Sequence, residues 1–218
     1  MGQMKYGFAA RSARALRVMW LCGGAALQGC DGSLNDQLMA TEPQVMAGAN
    51  GRVTNTLEVG GSVVSQVNAS DMTSWVYLQL ASGKEVSPTD PQSSTEWDLA
   101  LLRHQIKVNG GISGRGGVEV ALVAGTAFSA LTAAPQSGYV TDQVDSTDDD
   151  AEPDYAFVQR GTWYDYNVMT HVLTPKNQVY VVRATGGAYY KLQMTGYYDM
   201  AGSSGYPTFR WATVAAPQ

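Results

Sequence analysis

The chain has 218 residues, 44% hydrophobic and 15% charged, with a formal net charge of −5. That acidic balance argues against nucleic acid and against electrostatic docking on anionic lipid. Two cysteines and two histidines leave little material for a disulfide framework or for histidine-based acid–base and metal chemistry.

Residues 1–29 carry four basic residues (Lys5, Arg11, Arg14, Arg17) and no acid, and include the apolar run Val18-Met-Trp-Leu-Cys-Gly-Gly-Ala-Ala-Leu27. A cationic start followed by an apolar stretch too short for a permanent span reads as a signal peptide. It closes on Leu27-Gln-Gly-Cys30, which resembles a bacterial lipobox, so Cys30 is the expected lipidation site and the expected link to the membrane. Cleavage there removes Cys22, so the mature protein must be held by packing without an internal disulfide. It also takes the net charge from −5 to −9.

About 190 residues remain, enough for one domain with a sizeable core. Residues 30–56 are small, polar and aperiodic, and are expected to form a flexible tether; residues 57–218 are expected to form the domain. Past Thr56, short runs rich in Val, Tyr, Thr and Trp are broken by Gly, Pro, Asn and Asp, and no helical period lasts three turns. Trp75–Leu80 alternates as a strand, and Ser82-Gly-Lys84 supplies a turn. Trp97–Val108 reads as one long strand ending at Asn109-Gly110-Gly111, a hairpin signal. In that strand His104 shares a face with Leu102, Ile106 and Val108, so it is expected to be a hydrogen-bonded core residue. The glycine-rich stretch Asn109–Gly117 leads into the strand pattern Val118–Val123 rather than a helix, which argues for a connection and against a phosphate cradle.

Residues 142–154 hold seven carboxylates and no cation, the pattern of a solvated loop. Asp145, Asp148 and Asp150 are the residues there that could ligate calcium, although the EF-hand order and its turn glycine are missing. Trp163–Pro175 is rich in aromatics and contains Met169 and His171, both side-chain types that ligate haem iron. Gln178–Ala184 and Ala188–Thr195 flank the turn Thr185-Gly-Gly187, and Thr208–Val214 reads as a closing strand. Strands at hairpin spacing without a βαβ rhythm imply an all-β fold of stacked antiparallel sheets in a single domain. The sequence shows no Gly-x-Ser-x-Gly elbow, His-Glu-x-x-His or P-loop, so binding is expected rather than catalysis.

Glu96-Trp97-Asp98-Leu99-Ala100, Arg103, Ile106, Asn109-Gly110, Trp163, Val181-Val182-Arg183, Gly187, Lys191-Leu192-Gln193, Tyr197-Tyr198-Asp199 and Thr208-Phe209 together resemble the HmuY family of haem-binding lipoproteins. The resemblance runs from Trp75 to Val214 and rests on the order and spacing of these motifs. It implies a two-layer all-β fold that grips haem between loops by two axial side chains, His/His or Met/Met. It also implies a lipid-anchored protein of the outer membrane or cell surface that serves iron acquisition through a TonB-dependent receptor. Of the two regions that carry the family's ligands, the one after Trp163 offers Met169 and His171. The other, from Asp142 to Trp163, holds no His or Met and leaves Tyr155 as its available ligand. That gap leaves open a second reading, an HmuY-fold surface module that has lost haem ligation, with calcium at the acidic loop. Trp97, Trp163, Tyr197 and Tyr198 are expected to pack the core, and Asp98 and Arg183 to pair across strands.

Overall fold

The computed structural model describes residues 48–146 and 152–218, all within one compact unit, Thr41–Gln218. Among the described residues, fourteen strands and one short 3-10 helix make up the regular structure. Along the chain the first seven strands are β1 (Gly48–Asn50), β2 (Val53–Leu57), β3 (Val63–Val67), β4 (Val76–Gln79), β5 (Lys84–Val86), β6 (Leu99–Leu102) and β7 (Gln105–Val108). They are followed by β8 (Glu119–Val123), the 3-10 turn Phe128–Ala130, β9 (Tyr139–Val140), β10 (Tyr164–Asn167) and β11 (Val172–Pro175). The chain closes with β12 (Val179–Arg183), β13 (Tyr189–Tyr198) and β14 (Ser204–Val214).

These strands form an eight-stranded sheet in the order β1-β2-β3-β14-β13-β12-β8-β9, a four-stranded sheet in the order β5-β4-β6-β7, and the separate hairpin β10-β11. Every strand pair is antiparallel. Alternating burial in β3 and β14 gives the large sheet one apolar face. That face (Val63, Tyr180, Leu192, Phe209, Trp211) and the small sheet (Leu78, Leu99, Leu101, Val108) share one continuous core. Burying each of these larger side chains contributes about 1.5–3 kcal/mol, which secures two layers without a crosslink.

Two buried polar residues, Asp98 and Asn109, join the layers. Asp98, buried, accepts hydrogen bonds from Leu80 N (2.7 Å), just past β4 of the small sheet, and Thr185 N (2.9 Å) in the β12–β13 turn of the large one. Asn109, fully buried, donates through Nδ2 to Ser94 O and Trp97 O and accepts from Gly116 N at Oδ1. Gly114 and Gly116 crowd so close to Asn109 that a Cβ on either would stand 2.0 and 2.6 Å from its side chain. The Trp97-Asp98 and Asn109-Gly110 motifs are thus the clasp between the sheets.

Five sequence expectations are corrected. Residues 48–56, assigned to the tether, belong to β1 and β2, because Val53 is fully buried and Asn55 is held by Ser65 and Gly83. Trp97–Val108 is not one strand: β6 and β7 form a tight hairpin turning at Arg103-His104, with Leu102 opposite Gln105. Asn109–Gly117 passes between the two sheets instead of closing a hairpin. Asp142 is not solvated but buried, since it accepts hydrogen bonds from Val108 N (2.9 Å) and Ala156 N (2.8 Å). Arg183 pairs with Glu119 (3.2 Å), its neighbour on β8, and not with Asp98.

Candidate functional site

A cleft of about 620 Å³ opens where the β6–β7 turn, the β10–β11 hairpin and the β13–β14 turn meet. Its lining is Arg103, His104, Tyr164, Tyr166, His171, Leu173, Tyr197, Tyr198, Gly202 and Ser204. Flat aromatic walls with a few polar groups, at this volume, are the features of a site for a small organic ligand.

The walls come from strand register and from hydrogen bonds between distant elements. β13 contributes two consecutive tyrosines, Tyr197 and Tyr198, although neighbours on a regular strand face opposite ways. Register shifts against β14 on both sides of Gly196 break the alternation there. Tyr198 Oη then accepts from Leu173 N (2.8 Å) and ties β11 to the large sheet. His104, Tyr164, Trp163, Tyr197 and Tyr198 form a series of edge-on ring contacts at centroid distances of 5.0 to 6.2 Å. Burial pushes the phenols of Tyr164 and Tyr197 up, so both remain neutral and offer apolar faces.

His171 lies at the tip of the β10–β11 hairpin with φ 56, an uncommon backbone conformation for a non-glycine residue. Asn167 Oδ1 accepts from Met169 N (2.9 Å) and Thr170 N (3.1 Å) and shapes that tip. Tyr166 Oη stands 2.7 Å from His171 Nδ1. In the tautomer that donates Nδ1–H to the phenol, the Nε2 lone pair is free for a metal.

On the facing β6–β7 turn, Arg103 has φ 53 at a position where two-residue hairpins favour glycine. Long-range bonds hold it there: Arg103 N donates to Ala69 O (2.8 Å), Nη1 to Ser70 O (3.2 Å) and Nη2 to Ser204 Oγ (2.9 Å). The buried Trp163 indole donates to His104 O (2.9 Å). His104 is therefore a turn residue on the cleft and not a core histidine. Burial lowers its pKa, as does Arg103, against the opposing charge of Glu152, so the neutral imidazole is favoured.

Of the predicted haem ligands, only His171 lines the cleft. Met169 is exposed at the hairpin tip and lies outside the lining. Tyr155 also lies outside it, packed edge-on against Trp75 (5.9 Å), and burial pushes its phenol up to about 12, against the phenolate that would bind ferric iron. Cys30, Asp148 and Asp150 lie outside the described residues, and Asp145 is exposed. Among the described residues there is no group of three or more His, Cys, Asp or Glu side chains able to hold a metal ion. Sequence reasoning missed His104 because apolar alternation continues through the turn, and it missed Arg103 because the turn lacks glycine and asparagine.

The fold recurs in solved structures. A lipoprotein candidate from Bacteroides fragilis shares 23% identity over 72% of this chain and 93% of its own, with a TM-score of 0.51. An HmuY-like haem-binding candidate from Bacteroides vulgatus shares 23% over 69% and 90%, with a TM-score of 0.53. Apo PinO from Porphyromonas gingivitis shares 17% over 72% and 98%, also with a TM-score of 0.53. A comparison with curated proteins found no match. The HmuY protein family model matches residues 71–211, which take in the small sheet, the large sheet from β8 onward and every element lining the cleft, and the chain therefore belongs to the HmuY family.

Proposed function

We propose that this protein binds haem in the cleft, with His171 as an iron ligand. The observation that carries the proposal is the joint placement of His171, steadied by Tyr166, and the aromatic faces of Tyr164, Tyr197 and Tyr198 around one cavity. The residues present fit the group: the rings suit the porphyrin plane, an imidazole suits the iron, and Arg103 supplies a cation for a propionate carboxylate. Bound haem would supply an iron centre able to take protein ligands, and the chain's own residues would bind, orient and shield it.

Lipidation at Cys30 would keep such an acidic domain at the cell envelope, where it would capture haem and pass it to a TonB-dependent receptor. The Leu27-Gln-Gly-Cys30 pattern and the description of the Bacteroides fragilis relative support that setting.

The test is a titration of purified protein with ferric haem, followed by visible absorption. The Soret band should shift and saturate at one haem per chain, and His171→Ala should weaken binding while Met169→Ala leaves it unchanged. A spectrum identical to that of free haem at every ratio would defeat the proposal. For the anchor, metabolic labelling with an alkyne palmitate should mark the wild type and not Cys30→Ala, and an unlabelled wild type would exclude lipidation.

A further inference from the structure

The chain contains two histidines, and both line the same cleft. They arrive from unrelated parts of the fold: His104 from the small sheet, His171 from the separate β10–β11 hairpin. Both turns carry a non-glycine residue in the left-handed region, Arg103 at φ 53 and His171 at φ 56. Such strain costs about 1–3 kcal/mol per residue and persists only where the surroundings over-determine it. At the β6–β7 turn they do: Ala69, Ser70, Ser204 and Trp163 each hold Arg103 or His104 in place. A core histidine needs no such presentation.

Two imidazoles are too few for a free zinc or copper ion, which takes three or four protein ligands. No carboxylate or thiol is among the residues lining the cleft to complete such a set. Two are sufficient for a metal that brings four equatorial nitrogens of its own. We infer that His104 is the second axial ligand of the porphyrin iron, so that the cleft binds haem by a His104/His171 pair. This rests on the haem-binding reading of the cleft and adds a ligand that the predicted ligand regions lack.

With ferric haem, the wild type should give the six-coordinate low-spin spectrum of bis-imidazole ligation in visible absorption and electron paramagnetic resonance. His104→Ala should still bind haem, at least about tenfold more weakly, by comparison with the 10–100-fold cost of losing only a supporting group around a metal. Its spectrum should become high-spin, and millimolar free imidazole should restore the low-spin form. That rescue distinguishes a lost ligand from a damaged fold, and far-UV circular dichroism of the apo variant provides the control. His104→Ala with an unchanged low-spin spectrum overturns the inference and leaves haem binding standing. Failure of the wild type to bind haem overturns both. Zinc ion alone should not shift the melting temperature of the apo protein, and a shift abolished by His104→Ala would replace the porphyrin with a free cation.

Discussion

Asp98→Ala tests the clasp between the sheets. The carboxylate accepts from two backbone N–H groups, Leu80 N at 2.7 Å and Thr185 N at 2.9 Å, and both Asp98 and Leu80 are buried. Truncation leaves both donors unpaired, and each hydrogen bond to a charged group is worth about 1.5–3 kcal/mol, for a combined loss of roughly 3–6 kcal/mol. That is a large share of the ~5–15 kcal/mol that holds a domain together. With a urea m-value of about 2 kcal/mol/M the midpoint should fall by roughly 2 M. Asp98→Asn keeps one carbonyl acceptor and should lose about half as much, while exposed Glu96→Ala should stay within about 0.5 kcal/mol of wild type. Equilibrium unfolding followed by tryptophan fluorescence reads all three. An Asp98→Ala loss below about 1 kcal/mol would mean that the layers are held by apolar burial alone and that the clasp is incidental.

Asp142 carries the pH dependence. Burial raises its pKa to about 6, against its two backbone donors, Ser113 and Lys107, so the native state holds a proton that the unfolded chain releases near the ordinary value of 3.8. Its contribution is fully present below about pH 3.8 and is lost as pH rises through about 6, so the stability of wild type relative to Asp142→Asn should grow by on the order of 3 kcal/mol from pH 7 to pH 4. A difference independent of pH would show that Asp142 titrates normally. Tyr166→Phe removes the partner of His171 Nδ1 and should weaken haem binding about tenfold, the low end of such effects because both side chains are exposed; an unchanged titration curve would remove Tyr166 from the site. Gly205→Ala places a Cβ 2.7 Å from Ser70 Cα at φ 92, and should cost about 2 kcal/mol, or roughly 4–8 °C in Tm. A melting curve matching wild type would show that this approach relaxes freely.

Much of the architecture was legible in the sequence because its signals are local. Alternation marked β4, β-rich runs on either side of Thr185-Gly-Gly187 marked β12 and β13, and that turn and Ser82-Gly-Lys84 fall between paired strands in the structure. What was missed depends on distant partners. The Arg103-His104 turn has no turn-forming residue and is imposed from Ala69, Ser70, Ser204 and Trp163. Asp142 looked like one more carboxylate in an acidic run, but two backbone donors from elsewhere in the chain draw it inside. β1 and β2 lack a strong apolar pattern, and their place comes from pairing onto β3. In the cleft, local aromatic richness pointed to His171, whereas His104 joined it only through the meeting of separate sheets.

The position of β14 governs the order in which the molecule can be built. This last strand sits inside the large sheet, with β3 on one side and β13 on the other, so Val63 meets Trp211 near the opposite end of the chain. The first three strands therefore emerge from the ribosome with no sheet to join, and they wait until nearly the whole chain has followed. Such distant closure slows folding, because the entropy of the long loop is lost before its contacts form. The segment that locks the fold is the last of the described strands to be made.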